Sequence, residues 1–432
     1  MASQGNDMVG SPNKFLLEII GNLKLFAQNI MCVRETFDSS QALLKKQLDA
    51  TKENLAQFIQ LNNISQNDGK VVISNDKRKS YLNLQRIKER AEQAVRLIPP
   101  SYLVSLVSLF DSFYAGLVRC IYNLNPEKLL ESDMKFTYRD LKDLDSIREV
   151  KQIIVESKIE NLLRDSHIEQ FKWLASAMEV STLTQFNGWS DFVELTERRN
   201  LFVHANGKVS AQYVTICKKY GALQEGVSIG TILGVDKNYF EKAFKNLYKI
   251  AIMLSHILAS NNYLKKFEGD IEAVDKHLVN CIFELISGEL YDVAIEVSEF
   301  SLKRPFRHKT YDKCWLILNL AQSFKWQGKQ DKCMEVIRNE DSSGWRDEFL
   351  LSKYVLEDNF VKAYELMRKI GNGNSVITAS AYRDWPIFKE IRKEENFCSL
   401  FQEIFDEPLK ENVNVEPNNA NEVEEALIQA LQ

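Results

Sequence analysis

The chain has 432 residues, 45% of them hydrophobic and 27% charged, with a formal net charge of -5. This length and apolar content are those of a soluble globular protein with a sizeable core and two or three domains. The small net charge excludes a protein that binds nucleic acid through its overall field, so RNA or DNA contacts have to come from local basic patches.

Apolar residues recur at helical spacing along almost the whole chain, which predicts an all-α protein. The first predicted element is an N-terminal helical segment over residues 1–62, with Pro12 at the first helical position. The polar residues 63–80 are typical of a linker or a long loop, with a short strand at 71–74.

A helical domain is predicted over residues 81–262. Its most apolar stretch, from Ser101 to Tyr122, is long enough to cross a bilayer. Asp111 and Arg119 within it would each cost roughly 2.5 to 3.5 kcal/mol near the bilayer centre. We therefore expect no membrane span but a buried core helix that starts after the prolines at 99 and 100.

Residues 263–407 carry an internal repeat. Three segments align with a small residue at the same place, and these residues are Ala294, Cys333 and Ala363, 39 and 30 residues apart. The pattern predicts helix pairs in which the small residue allows close packing and neighbouring pairs bury each other's faces. It resembles tetratricopeptide-like repeats, whose usual period is about 34 residues, and implies a surface for a protein partner. The acidic residues 408–432 are expected to be a disordered tail.

Seven scattered cysteines are never spaced as Cys-x2-Cys. This argues against a disulfide framework and a zinc site, and it favours a reducing cytoplasm. The N-terminus lacks the basic-then-apolar layout of a signal peptide. Three histidines, His167, His256 and His277, stand alone on helical patterns, so we interpret them as core or surface residues and predict no metal or other cofactor.

The segment 197–207, ERRNLFVHANG, places strongly polar residues in an amphipathic helical pattern. On a helical wheel over residues 189–204 the apolar side chains occupy one broad arc. Arg199 and Asn200 fall inside that arc, whereas Arg198 falls on the opposite side and is predicted to be solvated. A buried guanidinium or amide without partners is costly, so Arg199 and Asn200 should meet an acid, a backbone carbonyl, a second chain or a ligand phosphate.

His204 follows Asn200 by one turn, but it lies about 140° around the helix from Arg199. The two side chains cannot point the same way on one regular helix, so a helix end or a second chain has to complete any shared site. Asn206 and Gly207 predict the helix C-terminus, which places His204 in the last turn, where a histidine can act as acid or base. The alternative is that Arg199 pairs with a buried acid and His204 caps the helix.

The Arg-Asn-x3-His spacing from Arg199 to His204 resembles the signature of the HEPN superfamily, whose four-to-five-helix domains occur in many metal-independent bacterial ribonucleases. The apolar stretch upstream and the segments VSAQYV and VDKNYFEKAFKNLYKIA downstream match the order of that family's elements. The last of these segments opens with Asp236 as the predicted N-cap of a helix. The resemblance covers roughly residues 85–262.

The resemblance implies a homodimer in which two copies of the motif face a shared cleft. It implies that His204 moves protons while the RNA 2'-hydroxyl attacks, that Arg199 stabilises charge on the phosphate, and that Asn200 holds the geometry. Asp111, the acid within the apolar stretch, could orient Arg199 or His204, or contact the N-terminal helices instead. The implied role is toxin or antiviral defence.

Small residues follow a 4, 3, 4, 3 spacing along the same stretch, at Ser101, Ser105, Ser108, Ser112 and Ala115. Such a stripe lets another helix approach closely, either from a second chain or from within the molecule. A basic stretch precedes it, formed by Lys77, Arg78, Lys79, Arg86, Lys88 and Arg90. It could follow an RNA backbone or be a solvated face.

The sequence thus predicts a cytoplasmic, homodimeric endoribonuclease with RNA as substrate and with helical repeats that sense or bind a partner. The alternative is a non-catalytic protein whose HEPN-like domain serves dimerisation and RNA binding and whose repeats form a scaffold.

Overall fold

The computed structural model describes residues 12–67, 70–129, 134–142, 144, 146–181, 183–263, 271–303 and 309–409. Nearly all of these residues lie in helices, and the strands among them form one two-stranded hairpin. The prediction of an all-α protein is confirmed. The chain forms two compact units: unit 1 comprises Met1–Cys281 and Glu299–Asp312, and unit 2 comprises Ile282–Ser298 and Lys313–Gln432.

The helices and strands up to residue 263 belong to unit 1. They are α1 (Pro12–Leu61), β1 (Ser65–Asn67), β2 (Lys70–Val72), α2 (Asn75–Leu124), α3 (Tyr138–Leu141), α4 (Ile147–Arg164), α5 (His167–Ala177), α6 (Trp189–Ala205), α7 (Ala211–Lys219) and α8 (Lys237–Ile257). A 3-10 turn at Pro126–Leu129 follows α2, and a π-helical turn at Leu258–Tyr263 follows α8.

The remaining helices start at residue 271. They are α9 (Ile271–Ser287), α10 (Tyr291–Lys303), α11 (Thr310–Trp326), α12 (Gln330–Arg338), α13 (Asp347–Leu356), α14 (Phe360–Ile370), α15 (Ala379–Asp384) and α16 (Glu395–Phe405), with 3-10 turns at Pro386–Phe388 and Ile391–Lys393.

Helices α1 and α2, of 50 residues each, lie antiparallel because the β1–β2 hairpin reverses the chain between them. Leu55 and Tyr81 are buried together near the hairpin. Farther along, the rings of Phe26 and Phe113 pack with their centroids 5.0 Å apart. Residues 63–80, where the sequence predicts a linker with a strand, thus contain the hairpin and the first turn of α2.

The sequence predicts that α2 begins after Pro99 and Pro100. The helix instead starts at Asn75 and passes through both prolines. Each proline removes one backbone hydrogen bond, yet its fixed φ is compatible with the helix. Pro99 is buried, and apolar packing follows directly at Leu103 and Leu106, which are both fully buried. Packing from Pro99 onward outweighs the local signal to stop.

Two helices, Lys14–Leu61 and Asn75–Leu124, are long and apolar enough to pass a length-and-composition test for membrane spans, with 28% and 50% of their most apolar windows buried. Core helices of soluble proteins share this length and composition. In α2, Phe110 and Leu117 are fully buried inside unit 1, as expected of a core helix.

In the predicted repeat region, the three aligned segments begin α10, α12 and α14. Their small residues, Ala294, Cys333 and Ala363, are all fully buried. In unit 2, Trp315 of α11 packs edge-on against Phe349 of α13, with centroids 5.1 Å apart. Of the predicted acidic tail, residues 410–432 lie outside the described residues.

Candidate functional site

Helix α6 carries the motif, and its middle is buried on every side from Phe192 to Arg198. The chain enters the helix through Gly188, whose φ of 96° is disfavoured for residues with a side chain. A Cβ there would lie 2.4 Å from Oδ1 of Asn246 on α8. Glycine at 188 therefore lets the start of α6 approach α8 closely.

The wheel predicts that Arg198 is solvated. This prediction is wrong, because the residue is only 4% exposed. Its Nε donates to Oε1 of Glu194 at 2.6 Å, and its Nη1 donates to the carbonyl of Gly234 at 3.1 Å. Its Nη2 donates to Oε1 of Gln224 at 3.1 Å, and its guanidinium carbon lies 3.9 Å from the ring centroid of Tyr239. The wheel fails because the loop before α8 covers this side of α6.

Glu194 lies on the same covered side and receives two further hydrogen bonds. The hydroxyls of Tyr213 on α7 and Tyr239 on α8 each donate to its carboxylate at 2.6 Å. Burial, together with the nearby Glu194 charge, raises the pKa of both tyrosines. We call Glu194, Arg198, Tyr213 and Tyr239 the buried network, and it ties α6 to α7 and α8.

Arg199 points the other way and is half-buried, with 24% of its side chain exposed. Its Nη2 donates to Oδ2 of Asp111 on α2 at 3.3 Å, and its Nη1 donates to Oδ1 of Asn200 at 3.2 Å. Its Nε is buried and has no hydrogen-bond partner within the described part of the chain. The guanidinium is therefore oriented but incompletely satisfied.

Asp111 joins a second side chain to this group. Its Oδ1 lies 2.8 Å from Nε2 of His167, the first residue of α5, which is only 8% exposed. We call Asp111, His167, Arg199 and Asn200 the open cluster. In the sequence His167 stands alone, because 56 residues separate it from Asp111 and no local spacing pattern connects the two.

Glu197, on the motif helix, is 7% exposed. Burial raises the pKa of its carboxyl group, and the charge of His167 partly opposes that shift. A second acid is thus buried near the open cluster.

His204 lies in the last turn of α6 and is exposed. The helix ends as predicted, with Asn206 at φ 49° and the amide of Gly207 donating to the carbonyl of Leu201 at 3.1 Å. Among the described residues, His204 has no hydrogen-bond or ion-pair partner. The structure brings Arg199, Asn200 and Asp111 together, and it does not bring His204 to them.

The stripe of small residues on α2 faces solvent: Ser101, Ser105, Ser108 and Ser112 are exposed, and Ala115 is half-buried. Packing within the described chain therefore does not account for the stripe. Asp111 is three residues after Ser108 and four before Ala115, so the open cluster adjoins this surface.

The basic stretch forms the first turns of α2. Arg78, Lys79, Arg86 and Arg90 are exposed, and Lys77 is half-buried. Lys88 lies on another face of the helix and pairs with Glu92 at 3.5 Å. The six cations therefore do not form one continuous surface.

No group of three or more histidine, cysteine, aspartate or glutamate side chains among the described residues is arranged to hold a metal ion. All seven cysteines are free thiols. The side chains available for chemistry at the motif are those of the open cluster and His204.

No family model matches the chain, and the comparisons with curated proteins and with solved structures find no significant match.

Proposed function

We propose that the chain is a metal-independent endoribonuclease of HEPN type that acts as a homodimer in the cytoplasm, in a toxin or antiviral defence role. The observation that carries the proposal is the open cluster. It holds Arg199 half-exposed, oriented by Asp111 at 3.3 Å, with one buried donor unsatisfied. The free thiols suit a reducing compartment, and the repeats supply a surface for a regulatory partner.

An oriented guanidinium is suited to a phosphodiester because its donors can stabilise charge that grows on the phosphoryl oxygens. In the proposed reaction the 2'-oxygen bonds to phosphorus and gives its proton to a histidine. The bond from phosphorus to the 5'-oxygen then breaks, and this leaving oxygen takes up a proton. His204 is the exposed histidine at the motif and is assigned this proton transfer.

A second copy is needed because Arg199 and His204 do not meet within one chain. They are separated by about 140° around α6, and His204 has no partner within the described residues. The exposed serine stripe adjoins Asp111, and small residues allow two helices to approach closely. A two-fold contact along α2 would place the Arg199 of one chain near the His204 of the other.

The test is incubation of the purified full chain with mixed RNAs in excess chelator, alongside Arg199→Ala and His204→Ala. Lys172→Ala serves as control, because this exposed lysine on α5 lies outside the motif and pairs with the neighbouring Glu169. Cleavage that the original and the control perform, and that both motif variants lose while staying folded, is the expected result. Cleavage that survives both changes would contradict the proposal. RNA binding without any cleavage would favour the non-catalytic alternative.

A further inference from the structure

Unit 1 contains a groove of about 1490 Å³ beside the motif. Arg96, Leu97 and Val104 line it from α2, Phe202 and Asn206 line it from α6, and Ile232 lines it from the loop before α8. Arg198, Phe202 and Asn206 are spaced four residues apart, so the groove runs along their side of the last turns of α6.

One face of α2 leads through the groove to the open cluster. Arg90, Leu97, Val104 and Asp111 are spaced seven residues apart, which is two helical turns, so they share one face. Arg86 precedes Arg90 by four residues and extends the same face toward the hairpin. At 1.5 Å per residue, this face runs about 37 Å from Arg86 to Asp111.

This face is positively charged at its outer end, where Arg86 and Arg90 lie, and Arg96 adds a cation at the groove wall. Arg86, Arg90 and Arg96 are exposed, and none of them forms a hydrogen bond or an ion pair with another described residue. Three free guanidinium groups ahead of a groove complement a phosphate backbone. A second copy can contact α2 at the serine stripe between Ser101 and Ala115, whereas a two-fold contact at Arg86 and Arg90 would bring like charges together.

The groove also offers apolar contacts. Leu97 is 64% exposed, Ile232 is 75% exposed, and Phe202 is half-buried at the groove wall. A cationic path next to exposed apolar and aromatic side chains is the arrangement with which proteins bind unpaired nucleotides. In an RNA duplex the base faces are stacked inside and cannot reach such side chains.

We propose that this groove and the basic face of α2 bind a single strand of RNA, with phosphates on Arg86, Arg90 and Arg96 and bases against Leu97, Phe202 and Ile232. The inference rests on the proposed function and gives its substrate class and path: an unpaired strand enters from the hairpin end of α2 and reaches the motif through the groove. Lys88, paired with Glu92 on another face, lies outside this path.

The experiment measures binding without cleavage. His204→Ala chain is titrated with a fluorescently labelled 12-nucleotide oligouridylate over a range of salt concentrations. Arg86→Ala, Arg90→Ala and Arg96→Ala, each added to that background, are expected to weaken binding several-fold. Each should also reduce the slope of log affinity against log salt by about 0.7, the contribution of one phosphate contact to a single strand. The matched control is Arg148→Ala, an exposed arginine on α4 outside the groove, which should change neither quantity.

Two further variants test the base contacts. Leu97→Ala and Ile232→Ala alter exposed side chains, so the fold should tolerate them. They are expected to weaken binding several-fold with an unchanged salt slope, and a duplex of the same length should bind more weakly than the single strand. Equal binding by all five variants, or arginine variants that change only the oligomeric state, would overturn the inference. If the wild-type chain binds the strand through the three arginines but cleaves no RNA, the inference about the groove stands and the proposed ribonuclease function is contradicted.

Discussion

The two sides of α6 differ in how their arginines are satisfied, although Arg198 and Arg199 are neighbours in sequence. Arg198 is 4% exposed and engages an acid, an amide oxygen, a carbonyl and a tyrosine ring. Arg199 is 24% exposed, has two weaker contacts and keeps its Nε unsatisfied. The buried network is satisfied within the chain, whereas the open cluster keeps one guanidinium donor without a partner among the described residues.

The largest expected effect comes from Arg198→Ala, which leaves the Glu194 carboxylate in a site where both side chains are 5% exposed. Loss of one partner from a buried ion pair costs about 3 to 5 kcal/mol, because the remaining charge is uncompensated. Urea denaturation followed by circular dichroism measures the change. Arg148→Ala is the exposed control and should stay within about 0.5 kcal/mol. An Arg198→Ala chain as stable as the control would show that the network is not structural.

Arg199→Ala should have a small effect on stability and a large effect on RNA cleavage. The change removes a half-buried side chain, and Asp111 keeps its second partner, His167. We expect a loss of stability of about 1 kcal/mol or less and a fall in the RNA cleavage rate of roughly 100- to 1000-fold, as for the removal of a donor that stabilises transition-state charge. Steady-state cleavage assays and the same urea titration check both parts. A large loss of stability would place Arg199 with Arg198 as a structural residue.

Tyr239→Phe should weaken the buried network but leave the ion pair between Arg198 and Glu194 in place. The variant removes one hydroxyl that donates to Glu194 at 2.6 Å and leaves the ring under Arg198. A hydrogen bond to a charged group is worth about 1.5 to 3 kcal/mol, and Tyr213→Phe is the equivalent change on the other side of the carboxylate. Urea midpoints of both variants should fall while the cleavage rate changes little. A loss of cleavage as large as that of Arg199→Ala would contradict this prediction, because it would show that the buried network also contributes to cleavage.

The smallest expected effect is that of Glu197→Gln on the pH dependence of stability. Burial raises the pKa of Glu197 in the folded state, so the unfolded chain releases this proton at a lower pH than the folded chain does. The free energy of unfolding therefore falls as pH rises from the unfolded pKa, about 4.3, through the raised folded pKa. Glutamine removes that decline, so the variant should gain stability relative to the original chain at pH 7. Unfolding titrations across this window test the sign.

Local sequence signals placed several elements correctly. The ends of α6 and α8 follow from Asn206 and Asp236, whose conformation and side-chain cap are those expected. The three aligned repeat segments coincide with the starts of α10, α12 and α14. Cap signals involve residues within about one turn of each other, and the repeat is visible as similar segments along the chain, so a single sequence contains both.

Long-range contacts were not accessible in the same way. The partners of Glu194 come from α7 and α8, and His167 meets Asp111 across 56 residues. A wheel assumes one buried face, whereas α2, α5, α7 and α8 all pack against α6. The sequence therefore predicts three of the four members of the open cluster, Arg199, Asn200 and Asp111, and interprets the fourth, His167, as an isolated histidine.

The most direct measurement of the central claim is complementation between two inactive chains. Arg199→Ala and His204→Ala proteins are unfolded, mixed in equal amounts and refolded, so that chains pair at random. If each site takes Arg199 from one chain and His204 from the other, half of the dimers regain one of two sites, and RNA cleavage should return to about a quarter of the original rate. A mixture that contains folded mixed dimers and remains as inactive as either variant alone would contradict a site shared between two chains.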